Sequence, residues 1–194
     1  MLGLLKEHLL HCPEPDDLIL VDECIFSQKT YKPCSWAVKR HNVEQRRRMG
    51  AQKAVAVVAA VSASLGLIRY ERRPSSYNAE AFGGFLERLS AQLGGRPAAM
   101  LLDNCAIHHA KATIAKMQRL DIKPLWNVPY RADLNGIEAV WAIAKQHFRS
   151  MQLQRMMGNL DLSFDECVDR AMDLVQPDSV RSCCRRGARA IMNA

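Results

Sequence analysis

From Leu18 to Phe26 the chain reads Leu-Ile-Leu-Val-Asp-Glu-Cys-Ile-Phe, a continuous apolar run interrupted only by two carboxylates. Alternate residues of a strand face opposite ways, so a run of this kind asks for apolar cover on both faces of a sheet. For the same reason only one of Asp22 and Glu23 can reach a site on a given face. The run alone does not say which.

Ala98 to Leu102 repeats the pattern and ends at Asp103-Asn104; a third acidic residue, Glu138, opens a segment of different period. There Ile137, Val140, Trp141, Ala144 and Phe148 recur on one helical face, with Lys145, Gln146 and Arg149 off it. Ala54 to Ser62 and Leu67 to Glu71 read as strands joined by a turn at Ala63-Ser64-Leu65-Gly66. Asn78 caps a helix whose Phe82, Phe85, Leu86 and Leu89 share a face until Gly94-Gly95. Lys111 to Leu120 predicts a helix and Ile122 to Trp126 a short strand stopped by Pro129. Asp165 to Val175 and Asp178 to Met192 predict two further helices meeting at Pro177. The order is three strands, helix, strand, helix, strand, helices, without internal repeat or long linker. We expect one α/β domain, with a lead-in over 1–17, a core over 18–150 and a helical extension over 151–194.

At 194 residues and 48% hydrophobic the chain can fill an ordinary core. A net charge of +7, with basic runs at Arg46-Arg47-Arg48, Arg69 to Arg73 and Arg181 to Arg189, favours a polyanionic partner. Seven cysteines without a Cys-x-x-Cys pair point to reduced thiols and an intracellular protein. His11-Cys12 and His108-His109 have no second pair at a zinc-ligand spacing. The apolar stretch Ala54 to Ile68 is too short for a membrane span, and no signal peptide is expected at Met1 to Leu10. Trp36 and Trp126 read as packing residues.

If the first and fourth strands are neighbours in a mixed sheet, Asp22 and Asp103 lie together near the strand ends, and a helix leaning over that edge brings Glu138 to them. Carboxylates suit Mg²⁺ or Mn²⁺, and a pair of such ions can activate an attacking oxygen and stabilise a leaving one. Plainer roles exist for each residue. Asp103-Asn104 fits a turn, and Asn135 with Glu138 fits a capping-box-like helix start. His108 is either a surface residue of the following helix or a polar group near Asp103 that touches substrate.

The words Val21-Asp22-Glu23, Leu102-Asp103-Asn104-Cys105-Ala106-Ile107-His108, and Pro129-Tyr130 through Leu134-Asn135-Gly136-Ile137-Glu138 to Trp141 resemble the catalytic domain of mariner-superfamily DDE transposases, which are related to those of bacterial insertion sequences. The likeness runs from about Leu18 to Arg149 and includes Ser35-Trp36-Ala37-Val38-Lys39 and Tyr77-Asn78-Ala79-Glu80. It implies a ribonuclease H-like fold, a mixed five-stranded sheet flanked by helices. Asp22, Asp103 and Glu138 become catalytic residues and ligands of two Mg²⁺ ions, with Mn²⁺ as substitute. The partner becomes DNA, cut and then joined by strand transfer, with Asn104, His108, Lys145, Arg46, Arg47 and Arg48 as candidate substrate contacts. It further implies a homodimer, with no membrane and no small-molecule substrate, acting in the nucleus of a eukaryote or the nucleoid-bearing cytoplasm of a bacterium.

The chain departs from that pattern. Arg131-Ala132 stands where the family has Ser-Pro, Gly136 where it has Pro, and Arg40 or His41 where a Gly follows the Trp36 word. Gly136 in place of Pro is expected to loosen the helix start that carries Glu138. About 17 residues precede the first strand, so the family's helix-turn-helix end-binding module is expected to be missing. A catalytically silent or domesticated DNA-binding remnant is the alternative reading, and a ribonuclease H-type hydrolase acting on RNA:DNA hybrids is a third.

Overall fold

The computed structural model describes residues 1–11, 15–28 and 53–194. Strands β1 (Ile19–Ser27), β2 (Ala54–Ser62) and β3 (Gly66–Arg73) form an antiparallel meander. β4 (Ala98–Leu102) pairs parallel with β1, and β5 (Ile122–Trp126) parallel with β4. The resulting mixed sheet has the order β3-β2-β1-β4-β5. Gly66, at φ 74°, supplies the left-handed backbone that turns β2 into β3.

The double cover demanded by β1 is present. Ile19 and Val21 of β1, Val58 and Ala60 of β2, and Met100 and Leu102 of β4 face one layer. That layer is α2 (Ala79–Gln92) and α3 (Lys111–Arg119), which present Phe82, Phe85, Leu86, Leu89 and Met117. Asn78 caps α2 as expected, its side chain accepting from the Ala81 amide. Leu20, Cys24 and Phe26 of β1, with Val57, Ala59, Leu101 and Leu125, face the opposite layer. There α4 (Ile137–Met156), α5 (Phe164–Asp173) and α6 (Pro177–Asn193) share one core with the sheet. The capping box of this fold belongs to α5, where Ser163 and Glu166 bond each other's backbone.

Two local features differ from the sequence expectation. Residues Leu2–His11 form a helix, α1, although Lys6 and Glu7 interrupt their apolar pattern. It is held by tertiary packing, since Leu5 is 1% exposed and the helix lies against α6 and β5. β1 also continues past Asp22 to Ser27, because its antiparallel partner β2 keeps pairing as far as Ser27 with Ala54. Asp22 therefore sits in mid-strand rather than at a strand end.

Phe148 of α4 meets Phe26 and Phe164 edge-on, at 5.3 Å between ring centroids in each case. It ties sheet, α4 and α5 together from a position 1% exposed. Phe148→Ala is expected to cost about 3–5 kcal/mol of stability, measured by urea unfolding. A loss below about 1 kcal/mol would show that this junction repacks.

Candidate active site

The parallel pairing of β1 with β4 sets Ile19 against Met100 and Leu20 against Leu101. Extended by two residues, that register brings Asp22 level with Asp103, just past the end of β4. Strand parity sends Asp22 to the α4 side, with Leu20 and Cys24, and sends Glu23 to the α2 and α3 side, with Val21. The ambiguity of the acidic pair is thus settled by which neighbours are buried on each face. Asp22, Asp103 and Glu138 line one open cleft of about 480 Å³.

Trp141 of α4 donates its indole N–H to Asp22 Oδ2 at 3.0 Å. This residue was read from sequence only as part of the apolar stripe. The available signal was its place one turn beyond Glu138, on the face turned to the sheet. Burial pushes the Asp22 carboxyl up to about 7, the Glu138 charge adds to the rise, and the Trp141 bond opposes it.

On the other side of the sheet, His108 is fully buried. Its Nδ1 lies 2.7 Å from Asp103 Oδ1 and its Nε2 3.1 Å from Glu23 Oε1. Burial alone would lower its pKa, but the two carboxylates outweigh it and push it up to about 10, so the ring is a cation that donates from both nitrogens. The His108 bond in turn holds the Asp103 carboxyl below its usual range, against the effect of its own partial burial. The Cys105 amide also donates to Asp103 Oδ1, at 3.0 Å. The ring is unexposed with both nitrogens engaged, so His108 is not the surface residue that was one of the two readings from sequence. It orients Asp103 from behind.

The rest of the wall comes from the loop after β5. Asn127, 4% exposed, donates to the Arg131 carbonyl at 2.9 Å and accepts from the Val128 amide at 2.9 Å. Asn104 donates to the Asn127 carbonyl at 2.6 Å, so its amide nitrogen holds this loop. Tyr130 sits at the bend with φ 60° and a fully exposed ring at the cleft. A tyrosine in the left-handed region is strained, and the Asn127 bonds on either side of the bend maintain it. Arg131, standing in the family's Ser position, is clamped by Asp133 at 2.8 Å.

Glu138 is exposed at the opening of α4, where the Asn135 side chain accepts from the Ile137 amide at 3.4 Å while the Asn135 amide donates to the Ala132 carbonyl. The capping-box alternative is therefore not what this residue does. Gly136 is buried in an ordinary helical conformation, φ −59° and ψ −21°, so its freedom of conformation is not what the position uses. Backbone atoms of α6 lie where a Cβ at 136 would stand, so the position leaves no room for a side chain. Lys145 lies half-buried on α4, close enough to Cys24 to bond its sulfur. Arg46, Arg47 and Arg48 lie outside the described residues, as does the Trp36 segment.

The donor chemistry of the cleft, three carboxylates, fits a hard divalent cation. As the side chains lie, no three acidic, His or Cys side chains among the described residues stand close enough together to hold an ion. Asp103 is turned toward His108 and Cys105.

A carboxyl raised to about 7 from an ordinary 3.8 costs nothing below 3.8, where folded and unfolded chains both hold the proton. As pH rises from 3.8 to 7 the unfolded chain ionises and the folded one does not, so stability falls. Above 7 the full penalty stands. Asp22→Asn is thus expected to stabilise the metal-free protein by about 2–4 kcal/mol at pH 8 and hardly at all at pH 4. Urea unfolding in chelator at the two pH values is the check, and equal effects at both would show an unshifted Asp22.

Residues 17–160 match the family described as DDE superfamily endonuclease. No curated protein matches the sequence at a significant level. Among solved structures, the Mos1 strand transfer complex superposes with a TM-score of 0.67 and 17% identity, covering 98% of this chain and 57% of the Mos1 chain. The Mos1 paired-end complex with the left transposon end gives 0.61 and 17%, covering 97% and 60%. The Mos1 catalytic domain with raltegravir and Mn gives 0.63 and 14%, covering 99% and 89%. These likenesses establish the ribonuclease H-like fold. The chain spans about 60% of the Mos1 chains in the two assemblies. The match over most of its length shows that this chain belongs to the DDE superfamily endonucleases.

Proposed function

We propose that this chain is a transposase catalytic core that cleaves DNA and joins the freed end to a second DNA. Asp22, Asp103 and Glu138 act as the metal-holding carboxylates. The observation that supports the proposal is that Asp22, Asp103 and Glu138 line one cleft, at the end of the parallel β1–β4 pairing. The donor set suits two Mg²⁺ ions, with Mn²⁺ as substitute, and Mos1 catalytic domain structures with each metal support the choice. Such ions supply activation of the attacking oxygen and charge neutralisation at the leaving one. The protein's part is to hold its ligands: Trp141 aims Asp22, His108 backed by Glu23 aims Asp103, and the first turn of α4 carries Glu138.

Lys145 and Asn104 are proposed to contact DNA, Lys145 because it lies on the sheet face of Asp22, near Cys24. Arg46, Arg47 and Arg48 are assigned the same role on charge alone. Tyr130 adds an exposed ring on which an unpaired base stacks, a contact of about 1–3 kcal/mol per base. The Mos1 paired-end complexes support pairing of two copies on two DNA ends. Action on DNA sets the place of work in the nucleus of a eukaryote or the nucleoid of a bacterium. Among the described residues no helix is long and apolar enough to cross a membrane.

The test is incubation with a pre-nicked DNA duplex and Mn²⁺. Wild type is expected to give cleaved and joined products, and Asp103→Asn none while remaining folded. Equal products from both would overturn the assignment; none from wild type would make the chain a silent DNA-binding remnant. Two further variants separate the roles. His108→Ala is expected to lower the cleavage rate about 10- to 100-fold with little change in DNA affinity, as loss of a ligand-orienting group does. Tyr130→Ala is expected to weaken DNA binding about tenfold in a gel-shift titration while leaving Mn²⁺ affinity unchanged.

A further inference from the structure

The start of α4 is seated on α6 through two glycines. A Cβ at Gly136 would stand 2.6 Å from the Cys183 carbonyl oxygen and 3.0 Å from Cys184 Cα. A Cβ at Gly187 would stand 2.7 Å from the Gly136 nitrogen, 2.9 Å from its Cα and 3.2 Å from the Leu134 carbonyl oxygen. Every one of these obstacles is backbone, which gives way only if a whole segment moves. Neither glycine has a positive φ, so the backbone angles of both are open to any residue. Gly187 also lies inside a helix, where glycine disfavours folding relative to alanine. What glycine provides here is the space for two backbones to touch.

The rest of α6 is arranged to press this contact home. Val180, Cys183, Cys184, Gly187 and Ile191 are its buried positions. The Arg185 guanidinium pairs with Asp16, beside the start of β1. Ile191, Leu134 and Gly136 border the same small void. Glu138 follows Gly136 by two residues in the first turn of α4.

We propose that Gly187 is a positioning residue for the active site: its bare backbone seats Gly136 and so sets where α4 presents Glu138. α6, remote from the cleft in sequence, thereby becomes part of the apparatus that closes the carboxylate set. The inference rests on Glu138 being a metal-holding residue. A methyl group at 187 must push the start of α4 away from α6 by roughly half an ångström or more, and ligand geometry tolerates little of that.

The test compares Gly187→Ala with Val168→Ala, a cavity variant in α5 that does not touch Gly136. Two readouts are taken, Mn²⁺ affinity by calorimetry and amide hydrogen exchange of the metal-free proteins. Gly187→Ala is expected to bind Mn²⁺ about tenfold more weakly. It should also exchange faster at Glu138 to Val140, with amides of α2 unchanged. Val168→Ala, even if equally destabilised, is expected to keep wild-type Mn²⁺ affinity. Wild-type affinity and wild-type exchange at the start of α4 in Gly187→Ala would overturn the proposal, as would equal loss of affinity in both variants. If wild type itself binds no Mn²⁺, the metal assignment of the cleft fails, and the exchange readout still decides whether Gly187 seats α4. Should Gly187→Ala not fold, Ile191→Ala loosens the same seat without a clash, and unchanged exchange at Glu138 to Val140 in that variant would also overturn it.

Discussion

The parallel pairing of β1 with β4 is the constraint on which the cleft depends. Side chains alternate along a strand, so a slip of one residue would exchange the two faces of β4 and move Asp103 out of level with Asp22. The apolar residues around the acids guard against that slip. Met100 and Leu102 fit among Phe82, Phe85 and Met117 on one side, and Leu101 packs with Leu20 and Leu134 on the other. Shifting the register would bury carboxylates in one layer and expose aliphatic side chains at the cleft. The packing that stabilises the sheet and the placement of the acids are therefore one choice.

Electrostatics then makes the cleft receptive. Asp22 is largely desolvated and faces the Glu138 charge, which keeps its proton near neutral pH. Asp103 is stabilised as an anion by His108. One carboxyl is thus held short of ionisation and one is held in it, inside a chain whose net charge is +7. A net charge of that sign favours a polyanionic partner.

Much of this was legible in the sequence. The strands at Ala54 to Ser62, Ala98 to Leu102 and Ile122 to Trp126 and the cap at Asn78 appear with the boundaries that periodicity and turn chemistry predict. What was not legible depended on contacts between distant segments. The choice between Asp22 and Glu23 needed the burial of their neighbours on each face. That Glu138 is not half of a capping box needed the partner of the Asn135 amide, which is the Ala132 carbonyl and which spacing could not foretell. Gly136 looked like a weakness because its partner, Gly187, lies about fifty residues away, and no local rule connects them. α1 was invisible for a related reason: its helicity is lent by the core into which Leu5 fits.

The adjacency of Asp22 and Glu23 gives the sheet a property that neither residue has alone. One peptide bond joins a side chain at the cleft to a side chain in the opposite layer, and the latter grips His108, whose ring lies 4.5 Å from that of Phe82. The aromatic filling beneath the sheet is thus mechanically continuous with the acid above it. Phe82, His108 and Asp103 form an unbroken chain of contacts from the interior of one layer to the rim of the cleft.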